Sequence, residues 1–229
     1  MDNQMNHVLV VAAHPDDEVL GCGGTIARLV RDGVRCDCLI LGEGLSARNG
    51  NRDIDDELRL ALSVGRKKAE EILGFQENIW LDLPDNQFDT VPLLDIIRKV
   101  EKTIHELTPD TIFTHSATDV NKDHNLVHEA VITATRPTMD CPVRSLYAFE
   151  IPSSTEWGFG HGGVFNPDVF FNIEDTIDVK VQAMDAYVSE VRKFPHPRSA
   201  TLLRALSQVR GSAAGFHHAE AYETIRVLR

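Results

Sequence analysis

The 229-residue chain reads as an α/β protein with a mostly parallel sheet flanked by helices. Apolar runs of strand length alternate with amphipathic stretches of helix length. Glycine, proline and asparagine mark the handovers, as at Asp32-Gly33, Gly74 and Pro84-Asp85-Asn86. The intervening helices supply the crossovers that parallel strands require, and such crossovers are right-handed.

Residues 8–12 are apolar throughout and read as a buried first strand. Residues 19–31 carry a helical stripe of Leu20, Ile26, Leu29 and Val30 and end at Asp32-Gly33. Residues 34–41 read as strand two, and the polar, glycine-rich loop 42–50 leaves the same sheet edge as the segment after strand one. A charged helix over 53–73 stops at Gly74. A strand over 78–83, a helix over 91–107, a strand over 111–114, a polar loop over 115–123 and a helix over 124–136 follow. After Pro137 the alternation loosens: strands are expected over 145–150 and 169–173, separated by a long loop, 151–167, of the kind usually kept for function. Helices over 176–191 and 199–209 come last. We read a single domain over 1–229, with a core of about 1–137 and a C-terminal lobe of about 138–229 that completes a pocket.

At this length 42% hydrophobic residues suffice for a full core. A formal net charge of −12 argues against general binding of nucleic acid or anionic membrane. The basic run Arg66-Lys67-Lys68 fits a solvated helix face. Cys22, Cys36, Cys38 and Cys141 form no C-x-x-C pair, which favours thiols in a reducing compartment over a disulfide framework. The start of the chain lacks a basic region, and its first apolar run is too short for a signal or a membrane span. A soluble, cytoplasmic protein without membrane insertion is the expectation.

The densest chemistry lies in Ala13-His14-Pro15-Asp16-Asp17-Glu18, where strand one hands over to a helix. Ligands bind at strand carboxyl ends in such folds. Crowding one imidazole and three carboxylates beside an apolar strand is costly unless a cation holds them. His14 and Asp17 are three residues apart, and Pro15 keeps His14 extended. A histidine, a carboxylate and a distant third ligand make a catalytic zinc set with one position left for water. The second cluster, residues 115–124, also lies between a strand and a helix and offers His124 from the same sheet edge. Asp16 is then placed to take a proton from water that a metal has acidified. Each residue also has a plainer role: Asp16, Asp17 and Glu18 can cap the helix that follows, and His124 can simply start one. Two clusters on one edge favour the metal.

The hexapeptide, together with the later H…D…DH cluster, resembles the PIG-L/LmbE family of zinc-dependent N-deacetylases. Later pieces, YAFEIPSSTEW, FNPDVF, PHPRS, RG and AEAY, are similar to segments of its sugar-deacetylase members. The resemblance implies a Rossmann-like fold. It also implies hydrolysis of the acetamido group of an N-acetylated amino sugar, with zinc or another divalent ion as cofactor. Carried onto this sequence, His14, Asp17 and His124 match metal ligands, Asp16 a general base, and Asp123 an acidic residue that orients a histidine. Many members have histidine where this chain has Asn121, which can donate a hydrogen bond but cannot deliver a proton. The acid is then Asp16 returning its proton or a histidine from elsewhere, and His196, between Pro195 and Pro197, is the candidate. His115 reads as a strand-end histidine behind the site; Arg48, Asn121, Arg210 and Glu220 are candidates for binding substrate or shaping its pocket. Family members are often oligomers, so a homo-oligomer is admitted, although no surface pattern points to one.

Gly21-Cys22-Gly23-Gly24 with Glu43 suggests dinucleotide binding, but the carboxylates of the hexapeptide occupy the turn where a pyrophosphate needs bare amides. His124-x-x-x-His128 lacks a metalloprotease glutamate, since residue 125 is asparagine. No G-x-S-x-G elbow is present. A silent metal- or sugar-binding relative is kept open by Asn121 and opposed by Asp16, a base that binding alone does not need.

Overall fold

The computed structural model describes residues 5–44, 56–160 and 162–229. The first half contains β1 (His7–Ala12), α1 (Asp17–Arg31), β2 (Arg35–Gly42), α2 (Asp56–Leu73), β3 (Asn78–Leu83), α3 (Leu93–Leu107), β4 (Thr111–His115) and α4 (Lys122–Ala134). The second half contributes β5 (Ser145–Phe149), β6 (Val169–Asn172), α5 (Ile177–Ala186), α6 (Ala200–Ala214) and β7 (Ala219–Val227).

One sheet runs through the described residues in the order β3-β2-β1-β4-β5-β7-β6. The pairs β1–β2, β2–β3, β1–β4 and β4–β5 are parallel, while β7 runs antiparallel to both β5 and β6. The chain moves outward from β1 through β2 to β3, then returns to place β4 on the other side of β1. That reversal opens a crevice between the carboxyl ends of β1 and β4. The segments after these two strands are the two clusters singled out above.

Both faces of the sheet are covered. Val8, Val10 and Ala12 pack with Ile26 and Leu29 of α1 and Val181 and Met184 of α5. Leu9, Val11 and Ala13 pack on the opposite side with Ile96 and Val100 of α3 and Val127 and Val131 of α4. Strand side chains alternate in direction, so an all-apolar strand must be buried on two sides. Gly21 lets α1 approach the sheet closely: a Cβ there would lie 2.4 Å from Cδ2 of Phe149. The glycines of this stretch thus serve packing.

The sequence reading places no strand over β7. Glu220, Glu223 and Arg226 interrupt its apolar character, yet it fills the gap between β5 and β6. Glu220 also repairs a break in α1. Cys22 has non-helical angles, φ −146° and ψ 15°, inside that helix. The Glu220 carboxylate accepts the amides of Gly24 (3.0 Å) and Thr25 (2.6 Å), and the Lys180 ammonium donates to the Leu20 carbonyl (2.7 Å). Lys180 and Glu220 also pair directly, both buried. In an unbroken helix the Gly24 amide would bond the Leu20 carbonyl; here an ion pair stands between them and satisfies each.

Removing one member of a buried pair leaves the other uncompensated. Glu220→Ala is therefore expected to cost about 3–5 kcal/mol in urea unfolding. A loss below about 1 kcal/mol, the scale of an exposed pair, would show that the break is held by something else.

Candidate metal and catalytic centre

Pro15 carries the chain out of β1, and α1 begins at Asp17 with Asp16 as its N-cap residue. Asp16 adopts φ 100° and ψ −24°, a left-handed conformation unusual for a residue with a side chain. Its amide donates to Glu18 Oε2 at 3.0 Å, and Glu18 Oε1 accepts from the Tyr187 hydroxyl at 2.6 Å. Glu18 is fully buried, and burial pushes its carboxyl up to about 8 against the opposing hydrogen bond from Tyr187. Asp16 makes no side-chain capping bond, so its carboxylate is left for other work. It takes Arg198 Nη1 at 2.7 Å. Burial holds the Asp16 carboxyl well above its usual range, and the Arg198 charge only partly opposes this.

Asp17 turns inward. Its Oδ2 accepts the His14 amide at 2.9 Å and lies 3.5 Å from His14 Nδ1 and 3.3 Å from His124 Nε2. His14 Nδ1 and His124 Nε2 are themselves 3.3 Å apart. These three donor atoms thus form a nearly equilateral triangle. Tetrahedral coordination with bonds of about 2.0–2.1 Å spaces its ligands about 3.3–3.4 Å apart, so the triangle fits three ligands of one small divalent ion. Burial disfavours ionised Asp17, but the charge and hydrogen bond of His124 prevail and hold it well below the usual carboxylate range.

Each ligand-type histidine has a carboxylate behind it. His14 Nε2 lies 2.9 Å from Asp123 Oδ2 and 3.2 Å from Asp85 Oδ1, which leaves Nδ1 facing the triangle. The other Asp123 oxygen accepts the Phe88 amide at 3.0 Å. His124 Nδ1 lies 3.2 Å from Asp119 Oδ2, and Asp119 is tied down by the Ser154 and Thr155 hydroxyls and the Asn121 amide. Burial lowers both imidazoles, but the carboxylates outweigh it: Asp123 and Asp17 raise His14 to about 10, and Asp17 and Asp119 raise His124 to about 9. The set thus attracts positive charge, as a cation site does.

His115 sits behind this triangle. Its ring stacks on His124, 4.0 Å between centroids, and its Nε2 accepts the Ala13 amide at 2.9 Å. That bond requires a neutral ring with its proton on Nδ1. Burial, reinforced by the His124 charge, keeps the imidazole well below its usual range.

The triangle opens into a cleft of about 180 Å³ lined by His14, Asp16, Asp85, Asn86, Asn121, His124, Ser153, Ser154, Glu190 and Arg198 among others. A larger hollow of about 930 Å³ along β3, lined by residues such as Arg59, Trp80 and Asp82, has no histidine among the described residues that line it. Asn121 caps α4 by accepting the Asp123 amide at 2.8 Å, and its Nδ2 donates to Asn86. Three of the expected residues are not brought to the cleft. His196 accepts the Arg198 amide on Nδ1 and sets its ring edge against Trp157. Arg210 clamps Glu150 through two bonds of 2.7 and 2.6 Å, and Glu220 is engaged at the break in α1. Arg48 lies outside the described residues. The sequence reading passed over Asp85, Asp119, Glu190 and Arg198; the Pro-His-Pro-Arg segment was the one local signal for the last.

The PIG-L family model, described as GlcNAc-PI de-N-acetylase, matches residues 9–135. The chain belongs to this family. A probable N-acetyl-α-D-glucosaminyl L-malate deacetylase 2 of Bacillus cereus is 30% identical over 80% of this chain and 83% of its own. A diacetylchitobiose deacetylase of Thermococcus kodakarensis is 28% identical over 95% of this chain and 82% of its own. In shape, the chain is similar to an N,N'-diacetylchitobiose deacetylase from Pyrococcus horikoshii, with a TM-score of 0.79 at 17% identity over 97% of this chain and 85% of that one. The match to the PIG-L model ends at residue 135, so Tyr187, Glu190 and Arg198 all lie beyond it.

The hold on the left-handed Asp16 can be tested directly. Tyr187→Phe leaves Glu18 Oε1 buried without its hydroxyl donor, and a loss of about 1–3 kcal/mol in unfolding free energy is expected. An unchanged urea midpoint would show that this bond does not stabilise the turn.

Proposed function

We propose that this member of the PIG-L family hydrolyses the acetamido group of an N-acetylated amino sugar, using zinc held by His14 Nδ1, Asp17 Oδ2 and His124 Nε2. Deacetylation is the activity its relatives share by name. The observation that carries the reading is the triangle of donors, 3.3–3.5 Å on a side, at the crevice between β1 and β4. Two nitrogens and one oxygen form a set that suits zinc and admits other divalent ions. When bound, the ion supplies Lewis acidity toward an amide carbonyl and toward water.

The chain's own groups account for the rest. Asp123 keeps the proton of His14 on Nε2 and so keeps Nδ1 free to ligate, and Asp119 Oδ2 faces His124 Nδ1 at 3.2 Å. Asp16, at the cleft wall, takes a proton from the attacking water and returns it to the departing nitrogen. Water adds to the carbonyl carbon, the carbon–nitrogen bond breaks, and acetate and amine result. This assignment uses one group for both transfers because Asn121 has no proton to give. His196 is the other candidate, and its engaged Nδ1 and absence from the cleft lining favour Asp16. Asn121 lines the cleft and its amide can offer a hydrogen bond to substrate.

Metal analysis of purified protein is expected to give about one divalent ion per chain, and His14→Ala and His124→Ala are expected to abolish it. An ion-free wild-type protein that releases no acetate from any N-acetylated sugar would overturn the reading. Asp16→Asn is expected to retain the ion while kcat for acetate release falls by about 10²–10⁴-fold. Loss of the ion in that variant would instead exchange the roles of Asp16 and Asp17.

A further inference from the structure

An aspartate at an N-cap ordinarily turns back to bond the amides of the first helical turn. Asp16 does not, although it stands at that position. Its left-handed backbone is held through its own amide by Glu18, which leaves the carboxylate without direction from the helix. The group that supplies direction comes from far along the chain: Arg198 Nη1, 2.7 Å from Asp16 Oδ2. Arg198 is itself held on further sides. Its Nη1 lies 3.1 Å from Glu190 Oε2, its Nε donates to Ser153 Oγ at 2.9 Å, and its backbone amide donates to His196 Nδ1 at 3.1 Å.

We infer that Arg198 is a positioning residue for the reaction: it aims the Asp16 carboxylate into the cleft, and Glu190 and Ser153 fix Arg198. The planar fork of a guanidinium bonds in two directions at fixed angles, which an ammonium cannot reproduce. Asp16 is anchored from α1 and aimed from the loop before α6, so the working position of its carboxylate depends on the register of the two halves of the molecule. Arg198 acts through Asp16, and its removal is felt in turnover more than in substrate affinity. His196, braced against the Arg198 amide, serves the same loop.

This inference rests on Asp16 being the proton carrier of the proposed hydrolysis. The test measures acetate release from N-acetylglucosamine and N,N'-diacetylchitobiose by wild type, Arg198→Ala, Arg198→Lys and Glu190→Gln, with bound metal and Tm recorded for each. Misplacing a reacting group by about 1 Å costs on the order of 100-fold, and Arg198→Ala is expected to lose about that in kcat while KM stays within about threefold and bound metal is unchanged. Millimolar guanidinium is expected to restore part of the rate to Arg198→Ala. Arg198→Lys is expected to fall between the two, and Glu190→Gln to show a smaller loss with the same split between kcat and KM. Should Arg198→Ala fail to fold, the Lys and Gln variants carry the same comparison. A normal kcat in Arg198→Ala, or a raised KM with normal kcat, overturns the inference while the hydrolase reading stands. Wild type inactive on every N-acetylated sugar overturns the hydrolase reading and takes this inference with it.

Discussion

One oxygen atom organises the centre of this protein. Asp17 Oδ2, on a side chain 1% exposed, faces the His14 amide and one ring nitrogen each of His14, His115 and His124. A carboxylate buried this deeply is tolerable only when its charge is answered nearby. His14 and His124 answer it, in the proposed holo form by sharing an ion with it. Around this atom the other acids sort themselves by partner. Asp123 and Asp119 face the far sides of His14 and His124, Glu18 holds the turn, and Asp16 faces Arg198. Similar carboxylates a few ångströms apart are thereby given different tasks by what each one touches.

The C-terminal part of the chain supplies the counterparts. Tyr187 bonds Glu18, Arg198 pairs with Asp16, and Lys180 and Glu220 fill the break in α1. Thus both ends of the first stretch of α1 are pinned by residues more than 150 positions away. The break leaves residues 17–21 as a short helical piece carrying Asp17 and Glu18. An isolated piece of that length has no stability of its own. Its rigidity is borrowed from the ion pair at one end and the Glu18–Tyr187 bond at the other. The parallel half of the sheet creates the crevice, and the part built around β7 holds its rim.

Much of this was legible in the sequence, and the limits have physical causes. Alternating strand and helix patterns carried the parallel half, because short-range periodicity encodes burial on one or two faces. His14, Asp17 and His124 stand out since ionisable groups beside apolar strands are costly without purpose. β7 escaped because its inward glutamate is buried by pairing with a lysine elsewhere, and periodicity does not register such a partner. Helix boundaries moved as well: the helix read over 176–191 is α5, Ile177–Ala186, followed by turns that carry Tyr187 and Glu190. The sequence singles out the segment between Pro195 and Pro197 through His196. Which side chain it presents to the cleft depends on contacts with residues 16, 153 and 190, and no local pattern encodes those.

Asn121 draws these threads together. At the position where the family resemblance leads one to expect a histidine, this chain has a side chain whose Oδ1 is committed to capping α4 and whose Nδ2 already donates to Asn86. A capping amide has a fixed orientation, so it can present a hydrogen-bond donor to a substrate oxygen, but it adds no acid. In the proposed hydrolysis, a proton that leaves water is therefore carried by a group that both accepts and donates within the cleft. Among the cleft-lining residues, Asp16 is the carboxyl that combines a wall position, a left-handed backbone held through its amide by Glu18 and a guanidinium on its Oδ2. In the proposed hydrolysis the geometry of Asp16 is demanding, because a single carboxylate must meet the water first and the nitrogen afterwards. That demand supplies a physical reason for anchoring Asp16 through Glu18 on one side and Arg198 on the other.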